Sequence, residues 1–145
     1  MSQIYAIVHA RCADLGARLF TISTLDTKAG LARRAYTSHP VEYPTQGTKP
    51  ITRDGWYDHV IAGKQAFVAN TPPEFAKYFF DHALITSLGL GSALNIPVQD
   101  GAGAVLGTVN ILAEADHFTA AKLTAYDGLV LTHRAALALE MAKPA

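Results

Sequence analysis

The sequence predicts an α/β (α+β) sandwich built on a mostly antiparallel sheet, and three observations carry that expectation. The stretch from Gly91 to Glu114 holds two β-branched runs, Ser92 to Val98 and Val105 to Leu112, joined by a turn containing Asp100, Gly101 and Gly103. A second pair of alternating runs, Leu19 to Thr24 and Leu31 to Ser38, flanks a turn from Asp26 to Gly30. Segments with helical spacing of apolar residues close both ends of the chain.

Taken in order, Gln3 to Leu15 places Ile4, Ile7, Val8, Cys12 and Leu15 on one helical stripe, with Gly16 as the stop. The first hairpin follows. His39 to Thr52 holds three prolines and a glycine, which argues for an ordered surface loop over the sheet edge. Asp54 is an acceptable N-cap for a helix that turns Trp56, Tyr57 and Val60 inward and ends at Gly63, and Ala66 to Ala69 reads as a short strand. Thr71-Pro-Pro-Glu74 has the pattern of a capping box with proline at the first helical position, opening a helix through Tyr78. Asp81 is the expected cap of His82 to Leu88, stopped by Gly89. After the second hairpin, Thr119 caps a long helix to about Met141. Its apolar positions, among them Leu123, Tyr126, Leu131, Leu137 and Leu139, cover more than one face. One stripe packs on the sheet, and the excess predicts a homodimer.

Composition narrows the function. A length of 145 residues predicts a single domain spanning 1–145, able to bury a sizeable core without disulfides or metal. Twelve basic residues balance twelve acidic ones with no basic run, so nucleic acid is not expected as a partner. Charges and glycines break the apolar tracts well short of the ~20 residues of a membrane span. No charged-then-apolar leader is visible, so a cytoplasmic location is expected. The single cysteine, Cys12, excludes an internal disulfide and any CxxC framework. Six histidines include three Asp-His pairs, but helix neighbours point ~100° apart and no His-x3-His spacing occurs, so no metal site is expected.

The second hairpin carries the clue to function. Strand alternation sets Leu94, Ile96 and Val98, with Val105, Gly107, Val109 and Ile111, on an apolar face. Asn95, Asn110 and Thr108 fall on the other. An amide buried there without partners costs roughly 1–3 kcal/mol, so the two asparagines must reach water or find partners. A small-molecule pocket is one solution; tying down loops or bridging water is the other. Tyr36, Ser38, Thr21 and Ser23 are expected on pocket-side positions of neighbouring strands. Trp56, Tyr57, Phe79 and Phe80 would wall such a pocket, or else form plain core. Arg34 shares parity with Tyr36 and Ser38 and would grip a carboxylate bidentately; the alternative is an arginine snorkelling at the sheet edge. No carboxylate pair and no Cys-His or Ser-His nucleophile is apparent, so a non-catalytic role is expected.

The element order α-β-β-α-β-α-β-β-α, with Gly-Ser-Ala-Leu-Asn-Ile-Pro-Val followed by Val-Leu-Gly-Thr-Val-Asn-Ile-Leu, resembles a GAF domain. The likeness extends through Ala-Tyr-Thr-Ser-His-Pro-Val-Glu-Tyr-Pro and Trp-Tyr-Asp-His-Val-Ile. It implies a GAF/PAS-like central antiparallel sheet of about six strands, with terminal helices on one face and a ligand pocket among short helices and loops on the other. It also implies sensing of small molecules or light, dimerisation through the terminal helices, and control of an output domain, which this chain does not show. The expected function is a stand-alone sensor that binds a small polar organic ligand without covalent chemistry. Asn95, Asn110, Tyr36 and Ser38 would recognise it, Thr108, Arg34, Tyr57 and Phe79 would line the pocket, and Trp56 would close it.

The chemistry-bearing subfamilies match less well. Free methionine sulfoxide reductases need several pocket cysteines, bilin-binding members need a cysteine that is absent between Arg53 and Gly91, and the Asn-Lys-Phe-Asp-Glu signature of cyclic-nucleotide binders is missing. No cofactor is assigned. Two rivals remain: a reductase-like enzyme in the same pocket, and a dimeric interaction module whose pocket is vestigial.

Overall fold

The computed structural model describes residues 3–45 and 47–144. Two hairpins meet along their inner strands. β1 (Leu19–Asp26) and β2 (Leu31–Thr37) form the first, β5 (Ser92–Gln99) and β6 (Val105–Ala113) the second, and β1 pairs antiparallel with β6 so that Thr21 faces Asn110 and Ser23 faces Thr108. β3 (Thr48–Pro50) extends one edge and β4 (Phe67–Ala69) the other, giving a six-stranded antiparallel sheet of order β3-β2-β1-β6-β5-β4.

β3 lies inside the segment expected to be loop. It is three exposed residues long and pairs with Leu31 to Arg33, and Pro50 is tolerated because an edge strand needs no ladder donor on its outer side.

Two bulges alter the face assignments. Between Ile22 and Ser23 the register passes from Tyr36 to Arg34, leaving Ala35 as the extra residue; between Val98 and Gln99 it passes from Gly107 to Val105, leaving Leu106. Val105 therefore leaves the back face expected for it and packs on Val60 and Ile61 in front, while Leu106 packs on the back. At the first bulge the strands approach closely: a Cβ on Gly107 would overlap the carbonyl oxygen of Ser23.

The back face carries Phe20, Ile22, Leu94, Ile96, Val109 and Ile111 under α1 (Gln3–Asp14), α5 (Ala120–Thr132) and α6 (Arg134–Met141). The expected single helix after Thr119 is thus two. His133 breaks it: its ring nitrogen bonds the Leu129 carbonyl at 2.9 Å, and Thr132 Oγ1 donates to Gly128 O at 2.8 Å, so side chains occupy carbonyls of the last turn. No helix of the described residues is long and apolar enough to cross a membrane.

On the front, α2 (Gly55–Tyr57), α3 (Pro72–Ala76) and α4 (His82–Ser87) are short. Asp54 caps α2 as expected, its Oδ1 accepting from Tyr57 N at 2.9 Å, and Thr119 Oγ1 accepts from Lys122 N at 3.2 Å. The other two caps differ from expectation. The Thr71 hydroxyl donates to Glu74 Oε1 at 2.8 Å, not to the backbone, and Asp81 caps nothing because its Oδ2 accepts from Tyr43 OH at 2.6 Å.

A tie that sequence reasoning did not anticipate is made by Asn70, at the end of β4. Its amide donates to Phe118 O at 3.1 Å and accepts from Phe118 N at 2.9 Å, pinning the connection between β6 and α5. Phe118 is buried. Asn70→Ala would strand both backbone groups, at a cost of roughly 2–4 kcal/mol. The expected outcome is a lower midpoint in urea unfolding with an unchanged slope.

Candidate functional site

The front of the sheet is floored by alternating residues of four strands and roofed by a helix whose form depends on one glycine. After α2, the chain continues as a π-helical turn, Asp58–Ala62, closed by Gly63 N donating to Asp58 O at 2.8 Å. A Cβ at residue 63 would press within 2.9 Å of the carbonyl oxygens of His59 and Asp58, so the wide turn requires glycine there. The turn sends Val60 and Ile61 into the core and holds Trp56 over β5.

Trp56 opens a chain of hydrogen bonds that crosses the sheet. Its indole Nε1 donates to Asn95 Oδ1 at 2.9 Å, and Asn95 Nδ2 donates to Asn110 Oδ1 at 2.9 Å. Asn110 Nδ2 then donates to Thr21 Oγ1 at 3.2 Å and to Ser23 Oγ at 3.0 Å. The amides satisfy one another across the strands rather than tying down loops, and together they form one wall of a cavity of about 420 Å³. Its volume falls within the ~300–1,000 Å³ of small-molecule sites.

Around that polar strip the cavity is walled by Trp56, Tyr57, Phe79, Tyr78 and Phe80 on the lid side, and by Leu19, Leu112, Ile61 and Ile85 below. Arg34 lines the end nearest β2. Its Nη1 donates to Pro44 O at 3.0 Å, and its guanidinium lies 4.9 Å from the centre of the Tyr43 ring. Lys49, Asp54 and Asp81 also reach the lining.

Of the residues singled out in the sequence, Asn95, Asn110, Thr108, Arg34, Trp56, Tyr57 and Phe79 come together here. Tyr36 and Ser38 do not, and the cause is the bulge at Ala35. The bulge turns Tyr36 to the back, where its hydroxyl meets His9 Nδ1 at 2.7 Å and its ring stands edge-on to Phe20. Ser38 Oγ accepts from Phe20 N at 2.8 Å and shares a hydrogen bond with His39 Nδ1 at 2.6 Å, so it belongs to the start of β1. Sequence reasoning missed Tyr43 as a lining residue, because its neighbours in a proline-rich loop give no periodicity to read. Cys12 is fully buried on the inner side of α1, and burial pushes its thiol up to about 12.

No family model matches the sequence, and no curated protein does. Solved structures do resemble it. The GAF domain of a phosphoenolpyruvate-protein phosphotransferase from Coxiella burnetii is similar with a TM-score of 0.71 at 19% identity, over 96% of this chain and 80% of that one. The GAF domain of a two-component sensor histidine kinase from Bacillus halodurans gives 0.68 at 15% identity, over 94% and 92%. A type II free methionine-R-sulfoxide reductase from Thermoplasma acidophilum gives 0.56 at 14% identity, over 91% and 94%.

Burial raises the phenols of Tyr43 and Tyr126 and lifts Tyr5 from 10.0 to about 12, with the hydrogen bond to Asp81 adding to the rise at Tyr43. The folded state holds these protons more tightly than the unfolded state. Their contribution to stability is therefore complete below about pH 10 and is lost as pH rises toward and past about 12. Denaturant midpoints measured across this range should fall, and unfolding at alkaline pH should release a further step of tyrosinate absorbance from the buried phenols.

Proposed function

The chain has the GAF-domain fold, and from that premise we propose that it is a sensory or regulatory domain of the cytoplasm that binds a small polar organic molecule, without covalent chemistry, in the front cavity. The observation that carries this reading is the open cavity of about 420 Å³ lined on its polar side by Asn95 and Asn110 and on its apolar side by Trp56, Tyr57 and Phe79. A vestigial pocket would be filled by the chain's own side chains; this one has room for a ligand. The sensor histidine kinase from Bacillus halodurans, whose GAF domain shares the fold, supports a regulatory role.

The reductase from Thermoplasma acidophilum shares the fold as well, which favours testing an enzymatic reading. Cys12 argues against it. Thiol attack needs the thiolate, and a thiol held at about 12 on the far side of the sheet supplies little of it near neutral pH.

Native mass spectrometry of freshly purified protein should show a co-purifying small molecule. Adding that molecule at ~100 times its dissociation constant should stabilise the fold by ~2.7 kcal/mol, a rise in melting temperature of roughly 5–10 °C. Asn110→Leu should remain folded and lose the rise. A rise retained in full by the variant would place the ligand outside this cavity.

The terminal helices support the homodimer. Ile7, Leu131 and Leu139 are 46%, 67% and 72% exposed, and a groove between α1, β2 and α6 is lined by Ile4, Ile7, Ala136 and Leu139. Light scattering should give twice the 15.5 kDa of one chain, and Leu139→Lys should shift the mass toward the monomer.

A further inference from the structure

The end of the cavity at β1 and β2 presents hydroxyl donors that the ladder leaves unspent, and the direction of the ladder is the reason. An indole N–H only donates, so Asn95 must turn its oxygen to Trp56 and its amino group to Asn110. Asn110 in turn gives both amino hydrogens to the oxygens of Thr21 and Ser23. Each of these hydroxyls has then accepted and still has its own O–H to donate. Neither finds a protein acceptor among the described residues, and the Thr108 hydroxyl, across from Ser23, makes no hydrogen bond there at all. No polar side-chain atom of the described residues is both sealed off and unpartnered, so the Thr108 hydroxyl is not sealed, and Thr21, Ser23 and Thr108 all line the cavity.

Arg34 is the cross-strand neighbour of Ser23. Among the described residues its fork donates one hydrogen bond, from Nη1 to Pro44 O, which leaves the other donors for a ligand. Three hydroxyl donors beside a guanidinium form a cradle for an anionic oxygen group. Arg34 and Lys49 are matched in the lining by Asp54 and Asp81, so an anion is held by the local fork of Arg34 and the hydroxyls, and one guanidinium matches a single carboxylate rather than a dianion. Trp56 bonds Asn95 on β5, two strand spacings, ~10 Å, from Ser23 and Thr21 on β1, and aromatic rings wall the cavity on that side.

Building on the front-cavity reading, we propose that the ligand is an aromatic monocarboxylate, its carboxylate held by Arg34, Ser23, Thr21 and Thr108 and its ring lying in the part of the cavity walled by Trp56, Tyr57 and Phe79. The carboxylate would complete the hydrogen bonding that the ladder leaves open, and the flat body would displace water from the apolar wall.

The test is calorimetric titration of the full chain with indole-3-acetate, its neutral amide and phenyl phosphate near neutral pH. The acid should bind about ten- to a hundred-fold more tightly than the amide, because the charge-assisted bonds are lost with the charge. Arg34→Gln should remove that preference, bringing the acid down to the affinity of the amide, and Ser23→Ala should reduce it in part. Arg34→Lys, which keeps the charge without the fork, serves as a second variant, and circular dichroism checks that each folds.

Equal binding of acid and amide, or an indifferent Arg34→Gln, overturns the carboxylate assignment and leaves a neutral ligand in the same cavity. Tighter binding of phenyl phosphate overturns it in favour of a dianion. Binding of no probe while a small molecule co-purifies overturns the aromatic acid but spares the front-cavity reading; with no co-purifying molecule either, both fall.

Discussion

The hydrogen bond from Asn95 Nδ2 to Asn110 Oδ1, 2.9 Å long, is the interaction that organises the front of this protein. The two residues stand opposite each other in the β5–β6 ladder, so one register brings their amides together. A slip of one residue would send every side chain of a strand to the other face and bury an amide among Ile96, Val109 and Ile111 without a partner. The polar pair therefore pins the register as well as lining the cavity. Gly107 pins it a second time, since nothing larger can lie against the Ser23 carbonyl.

The bulges turn a regular sheet into two different surfaces. In an unbroken β2, Arg34 and Tyr36 would share a face. The extra Ala35 separates them, so that Arg34 reaches the cavity while Tyr36 holds His9 of α1 on the opposite side. The extra Leu106 does the same for β6, and Val105 becomes a seat for Ile61 beneath the lid helix. Each bulge thus gives the front a residue that strict alternation would have given to the back.

These features explain what could be read from the sequence. The hairpins, the α2 cap at Asp54 and the front placement of Asn95, Asn110 and Thr108 follow from local periodicity and turn chemistry, which neighbouring residues carry between them. The bulges were not legible because alanine and leucine are ordinary strand residues, and the extra position is set by pairing with a distant strand. β3 escaped notice because its three exposed residues have no apolar side to alternate. Asp81 has the local pattern of a cap, yet a tyrosine 38 positions away takes its carboxylate. The role of Asn70 likewise depends on Phe118, 48 residues further on.

Stability and access are divided between the faces for the same physical reason. The back helices lay broad apolar surfaces on the sheet, whereas α2, α3 and α4 have three, five and six residues, too short to hold a helix unaided. Rings hold the front together instead: Phe67 against Tyr78 and Phe79, and Phe75 against Phe79. Trp56 joins the lid to the sheet floor through one side-chain hydrogen bond, worth a net ~0.5–1.5 kcal/mol. That bond also orients the ladder: with Asn95 Oδ1 held by the indole, its amino group is left for Asn110, and the donor direction at Thr21 and Ser23 follows.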